Sequence, residues 1–338
     1  MTQDPTDVPE TNEPGTKPAG PGRRRRWTLI VAVLSVVLGG YLLARTLGGY
    51  SLDQLVASVR ALPAGRLAAA GAFAAASYLC LCGIDWLALR AAGRPLPFGR
   101  VALAAFISLS LGHSIGLAGL SSGAIRYRFY TRWGLGTGDV ARVVLFCGVT
   151  VGLGLMALGA VAVLADPGLA REVTGLGRPA VLASGLACAG GVALYLGLAA
   201  RLRAPLRIRR WSIALPPLPL AAAQVGLGAL NFALVSACLH QALAAVSDVG
   251  FLGVVSVFVI ANAAVLITHV PGGLGVIESV VVHLLPKTDV IGPLIAFRFL
   301  YFLVPLALGL AAFAVTEAVF RWRGAGARRG FAWRATSA

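Results

Sequence analysis

The chain has 338 residues, 58% of them hydrophobic and only 12% charged, with a mean hydropathy of +0.82. A soluble globular chain carries about 25% charged residues, so this composition excludes an ordinary water-soluble enzyme or binding domain. The formal net charge of +16 would suit nucleic acid on a soluble protein, but the cations flank apolar runs, which excludes nucleic acid as a partner and reads as membrane topology.

Residues 1–22 are rich in Pro, Thr, Gly and acids, and with the tetrad Arg23–Arg26 they predict a disordered basic cytoplasmic tail over 1–26. The run Trp27–Leu47 is as long as the roughly 20 residues a membrane helix needs. It exceeds a signal-peptide core and no A-x-A site follows it, so it is expected to be retained. Residues 52–62 place Leu52, Leu55, Val56, Val59 and Leu62 on one face, the pattern of a short amphipathic surface helix. Further clear apolar runs cover 67–89, 141–165, 179–200, 214–238 and 290–319, whereas 101–122 and 250–286 are apolar but interrupted by Gly, Ser, His, Asn and Pro. Cys80, Cys82, Cys147, Cys188 and Cys238 all lie inside apolar runs without CxxC or metal spacing, so no disulfide, metal or cofactor is expected.

The arginines set the topology. Cytoplasmic loops collect Lys and Arg, and the Arg-rich segments are 23–26, 90–100, 126–142, 201–210 and 321–334. Were every run to cross once, 90–100 and 126–142 would face opposite sides. Parity is restored if 101–122 dips in and returns, and if 250–286 does the same from outside. That arrangement puts 22 basic residues inside and five outside. Irregular backbone at membrane depth survives only where protein buries it or a cavity borders it, so the two broken segments become the candidate site. A shift of 150 residues aligns Ser121-Ser122-Gly123 with Pro271-Gly272-Gly273 and Asp139-Val140 with Asp289-Val290, and superposes 67–89 on 217–239 and 141–165 on 291–315. Halves 27–170 and 177–320 would each hold three crossings and one re-entrant hairpin. The odd number inverts the second half, as in many secondary transporters.

Two constellations fall in the broken segments. Gly112-His113-Ser114-Ile115-Gly116 formally matches the G-x-S-x-G nucleophile elbow, but no strand–turn–helix context surrounds it. The small residues, Gly123 included, suit close backbone approach, with His113 and Ser114 on a polar cavity wall. Arg126, Arg128 and Arg132 follow, interleaved with Tyr127, Phe129, Tyr130 and Trp133. They read either as a topology anchor or as a grip for an anionic headgroup. The second constellation is Asn262, His269, Pro271-Gly272-Gly273-Leu274-Gly275 and Glu278. The Pro and glycines end one half-helix and open another, leaving Glu278 in its first turns, where a carboxylate is favourable. An ionisable group at depth is a functional candidate, and Arg298, inside an apolar span, is its expected partner. Asp85 and Glu317 read as interfacial acids.

The stretches GHSIG, SSGAIRYRFYTRWGL, PGGLGVIE and FRFLYFLVP resemble the lysylphosphatidylglycerol synthase transmembrane region, a flippase-like membrane family, over roughly residues 27–320. The resemblance implies the membrane fold and translocation of a lipid or lipid-linked molecule. It maps the family's motif positions onto Gly123, Arg126, Pro271, Gly272, Gly273, Gly275, Glu278 and Arg298. In full-length relatives a C-terminal cytoplasmic transferase makes the aminoacylated lipid. No such domain is expected here, so the chain is read as a non-enzyme.

The expectation is an all-α polytopic membrane protein with about six full transmembrane helices and two re-entrant or broken hairpins in an inverted-topology repeat. The domain spans 27–320, with 321–338 as a basic cytoplasmic tail. It would sit in the inner membrane with both termini cytoplasmic, carrying a polar, anionic or aminoacylated phospholipid or a lipid-linked intermediate. The expected substrate-binding residues are His113, Ser114, Arg126, Arg128, Asn262, His269, Gly272, Gly273, Glu278 and Arg298, with Gly123, Pro271 and Gly275 as structural motif positions. Membrane lipids are the expected partners, a separate transferase another. Three alternatives stand: an ion-coupled carrier of a soluble solute, a membrane-embedded lipid-phosphate enzyme, and a membrane partner of a transferase.

Overall fold

The computed structural model describes residues 62–115, 118–202, 206–208, 211–213, 215–268, 276–284 and 290–335, with Asp53, Val56, Ala57 and Arg60 as isolated positions. The expected helix 27–47, the tail 1–26, most of 52–62 and the turn 269–275 lie outside the described residues. The helices are α1 (Ala64–Ala91), α2 (Phe98–Ile115), α3 (Ala118–Arg132), α4 (Thr137–Ala165), α5 (Pro167–Thr174) and α6 (Arg178–Arg201). After a small antiparallel hairpin of β1 (Leu206–Ile208) and β2 (Trp211–Ile213) come α7 (Leu218–Leu243), α8 (Phe251–Thr268), α9 (Val276–Leu284) and α10 (Ile291–Arg298). A π turn (Phe299–Leu303) then leads into α11 (Val304–Ala335). Among the described residues, five helices are long and apolar enough to cross a bilayer: Ala64–Ala91, Thr137–Ala165, Arg178–Arg201, Leu218–Leu243 and Gly292–Phe320. This is a polytopic membrane protein, and helices are the expected answer because in lipid each backbone group must bond within its own segment.

Helix ends follow local chemistry. Asp166 caps α5 by accepting from the Leu169 amide, and Gly175 closes it with φ 67°. Gly93 and Gly134, just beyond α1 and α3, also adopt positive φ (70° and 90°), a region glycine enters without a Cβ penalty.

The helix directions can be read from paired contacts. Arg66 Nη1 donates to Gln241 Oε1 (3.1 Å), Ser77 Oγ to Asn231 Oδ1 (2.7 Å) and Cys80 Sγ to the Leu227 carbonyl (3.2 Å). As the first number rises the second falls, so α1 and α7 are antiparallel over most of their length. These two helices are the ones that the 150-residue shift superposes. The order long, short, short, long of α1–α4 recurs in α7, α8, α9 and α10 to α11. Counterparts packed antiparallel are the geometry of an inverted repeat.

The segment 101–122 is resolved into two antiparallel arms. Ser121 Oγ donates to the Gly112 carbonyl (3.4 Å), and a Cβ on Gly112 would lie 2.8 Å from Ser122 Cβ. The tight approach therefore falls at Gly112. Gly123, the expected motif position, has ordinary room for a methyl, its nearest neighbour being Val144 at 3.6 Å. Arg94 Nε donates to Asp139 Oδ2 at 3.0 Å, so the loops flanking the α2–α3 hairpin meet at one end of the bundle. Glu317 of α11 joins Arg128 and Arg132 at the same end. Because α7 runs against α1, its start, and with it the connection from Arg201, lies there too. Among the described residues, Arg94, Arg128, Arg132, Arg142 and Arg201 therefore lie at one end of the bundle.

Two apolar clusters fill the bundle. The larger centres on Tyr78, Phe232, Leu239, Phe258, Phe297 and Tyr301, and the smaller on Leu89, Ile107, Phe129, Tyr130, Val143 and Leu306. At the α4–α7 crossing, Gly154 and Gly228 bring the backbones together so closely that a Cβ on either would strike the other helix. This is the small-residue packing that lets membrane helices gain contact where lipid offers no hydrophobic drive. Helix α6 is the exception, with most of its apolar surface left facing outward.

Candidate functional site

Arg126 and Arg128 are two positions apart on α3, so their side chains leave the helix on nearly opposite sides. Arg126 turns inward. It is buried (3% exposed) and grips Asp85 of α1 with both arms of its fork: Nε to Oδ2 and Nη2 to Oδ1, each at 2.8 Å. Its Nη1 donates to Ser122 Oγ at 2.9 Å. Tyr130 Oη donates to Asp85 Oδ2 (2.9 Å) and Cys147 Sγ of α4 to Oδ1 (3.1 Å). Ser122, Arg126 and Tyr130 succeed each other at four-residue spacing, one helical face. The sequence placed Asp85 at the interface and Arg126 in a surface loop. Both are instead inside the protein, because one carboxylate with four donors compensates the buried guanidinium.

Arg128 and Arg132 share the other face. Arg128 Nε donates to Glu317 Oε1 (2.9 Å), its Nη2 lies 2.7 Å from Oε2, and Arg132 Nη1 donates to Oε1 at 2.9 Å. The Arg128 guanidinium also lies over the Phe313 ring and that of Arg132 over Phe320. Glu317, expected at the interface, is largely covered by these two cations.

A third cluster occupies the middle of the bundle. Ser77 Oγ, which donates to Asn231 Oδ1, lies 3.1 Å from Tyr301 Oη, and Tyr78 Oη donates to the Tyr301 carbonyl at 3.3 Å. Tyr301 sits in the π turn and stacks on Phe297 with ring planes 5° apart. A π turn inserted in an α-helix often marks a working position. It begins directly after Arg298, which is buried (7% exposed), with its guanidinium 5.6 Å from the Phe302 ring. His113, at the tip end of α2, meets Tyr78 edge-on with ring centroids 6.4 Å apart. Its Nδ1 is buried and has no hydrogen-bond partner among the described residues.

The structure therefore sets His113 against Tyr78, which bonds to Tyr301, while Arg298 lies on the same helical segment one turn before Tyr301. Asn262 is not part of this cluster: its Nδ2 returns to the Phe258 carbonyl at 2.8 Å, four residues back on α8. Glu278 falls in the first turn of α9, but its side chain lies outside the described residues, as do the side chain of Ser114 and all of His269, Pro271, Gly272, Gly273 and Gly275. Sequence reasoning missed Ser77, Asn231 and Tyr301, whose residue types are unremarkable singly. Asp85 carried a usable signal, as a lone acid within an apolar span.

Residues 31–309 match the family described as lysylphosphatidylglycerol synthase TM region. An uncharacterised protein of Synechocystis sp., slr0712, is 31% identical over 305 residues, covering 86% of this chain and 95% of its own length. The inner membrane protein YbhN of Escherichia coli K12 is 28% identical over 251 residues, covering 71% of this chain and 77% of its own.

Proposed function

The chain belongs to the lysylphosphatidylglycerol synthase TM region family, and from that premise we propose that it is a flippase-like transporter of a polar lipid. Its substrate would be an anionic or aminoacylated phospholipid or a lipid-linked intermediate, carried across the cytoplasmic membrane without chemical change. The carrying observation is the antiparallel packing of α1 on α7, joined by Ser77 and Asn231. Halves of opposite orientation can rock about such a contact and expose a central site to either side in turn. Arg298 and His113 border that centre and would meet the headgroup. Arg126, saturated by Asp85, is assigned to holding α3 on α1.

The arginine-rich end faces the cytoplasm under the positive-inside rule, with both termini there. The Escherichia coli relative is an inner membrane protein, which supports the same membrane. On this reading the α2–α3 hairpin is re-entrant from the cytoplasm and the α8–α9 pair from outside. Gly99 and Gly138 have open space for a side chain. In a cysteine-free background, Gly99→Cys and Gly138→Cys are both expected to resist an impermeant thiol reagent added outside cells. Labelling of Gly138→Cys alone would mean that the α2–α3 segment crosses the membrane.

Translocation is tested with the purified chain in liposomes bearing fluorescent phosphatidylglycerol in both leaflets. An impermeant reductant bleaches only the outer half of the label in empty vesicles. Bleaching well beyond half is the expected result with protein present. Bleaching that stops at half for zwitterionic and anionic probes alike would reject the transport reading.

A further inference from the structure

We propose that Arg128, Arg132 and Glu317 form a binding site for a phosphomonoester headgroup, with Glu317 holding in cis the place that the terminal phosphate of a lipid takes. The inference deepens the lipid-transport reading and rests on it, naming the headgroup class and its point of entry.

The geometry carries the argument. Arg128 and Arg132 lie one turn apart on α3 and converge on a single carboxylate: Arg128 through Nε and Nη2 (2.9 and 2.7 Å), Arg132 through Nη1 (2.9 Å). Two cations on one carboxylate leave the trio with one net positive charge. The guanidinium planes have a second support, since Phe313 and Phe320 flank Glu317 on α11 and lie 5.4 and 4.7 Å from the two Cζ atoms. The fork is thus oriented by the rings as well as by Glu317, and stays aimed when the carboxylate moves away.

Guanidinium groups suit phosphate because their planar fork of N–H donors can bond two phosphate oxygens at once. A phosphomonoester offers three terminal oxygens and close to two negative charges near neutral pH. It therefore matches two guanidiniums better than a carboxylate does. A phosphodiester offers two free oxygens and one charge, no more than Glu317 already supplies. The expected preference is for the monoester.

The source of the phosphate is a lipid. Among the side chains of the trio, Arg132 is the most open, at 33% exposed against 12% for Arg128 and 10% for Glu317. Tyr127 and Trp322, neighbours on the same two helices, are exposed, and aromatic residues of this kind mark headgroup level. The Asp85–Arg126 pair offers no such entry, being buried with its carboxylate fully occupied. Occupation by phosphate would also release α3, the returning arm of the first hairpin, from α11 of the second half. Headgroup capture then loosens a contact between the halves.

The test uses the full chain in detergent, titrated with short-chain phosphatidate, short-chain phosphatidylglycerol and inorganic phosphate, read by calorimetry. Phosphatidate is expected to bind at least about tenfold more tightly than the diester, and Glu317→Gln to tighten it by about tenfold more by removing the competing anion. Arg132→Gln, which leaves the Arg128–Glu317 bridge in place, is expected to weaken phosphatidate by about tenfold. Equal binding by Arg132→Gln and the parent overturns the site even if Glu317→Gln fails to fold. So does equal affinity for monoester and diester, and inorganic phosphate matching phosphatidate overturns the lipid source. Monoester preference in a protein that moves no lipid in vesicles would reject transport and keep the site. Translocation without that preference would reject the site alone.

Discussion

Asp85→Asn is expected to be the most damaging single polar substitution in the bundle, costing about 3–5 kcal/mol, the range for breaking a buried pair by removing one partner. The neutral amide keeps the shape but removes the charge that balances Arg126. It also presents an NH2 donor where the carboxylate accepts from Arg126, Tyr130 and Cys147. Arg126→Gln should cost a similar amount by stranding the carboxylate. Replacing both, Asp85→Leu with Arg126→Met, should be milder than either, because no charge is then left in the interior. Cys147→Ser keeps a donor at that position and should stay within about 1 kcal/mol of the parent, the worth of an ordinary hydrogen bond. Melting temperature and monodisperse yield in detergent give the ranking. Strictly additive losses across the Asp85–Arg126 cycle would mean that the two side chains do not depend on each other.

This pair marks where sequence reasoning stopped. Apolar run length located the spans, since a bilayer sets helix length directly. The distribution of arginines leads to the expectation that the two broken segments return to their own side; the Arg94–Asp139 contact brings together the two loops that flank the first of them. Face assignment within 126–132 was different. The alternating arginines and aromatics, read above as a topology anchor or a headgroup grip, are also compatible with an inward ion pair beside an outward one, because the distinction depends on where α3 starts and how it is rotated. Only a partner on another helix settles it, and Asp85 and Glu317 lie 41 and 189 residues from their arginines. The Ser77–Asn231–Tyr301 link was hidden for the same reason: each residue is ordinary within its own helix, and the cluster exists only once the halves are packed.

The packing of the π turn against α1 also gives Arg298 its place. It lies about one turn before Tyr301, whose hydroxyl reaches Ser77 near the middle of α1, so the guanidinium sits well inside the bundle, directly before the π turn. A charge at the bilayer centre costs about 2.5–3.5 kcal/mol on insertion scales, and an anionic headgroup crossing there meets the same cost unless a cation offsets it. On the transport reading, Arg298→Gln removes that offset and should slow translocation of an anionic lipid by about a hundredfold, at roughly 1.4 kcal/mol per decade. Arg298→Lys keeps the charge but loses the planar fork that stacks and bonds bidentately, so it should retain an intermediate rate. Rates come from the bleaching assay in liposomes, with melting temperature confirming that each variant is folded. A neutral or zwitterionic probe should be slowed less by Arg298→Gln than an anionic one, since only the charge term is lost. Equal slowing of both probes would assign Arg298 to holding the π turn, and an unchanged anionic rate would remove it from the translocation path.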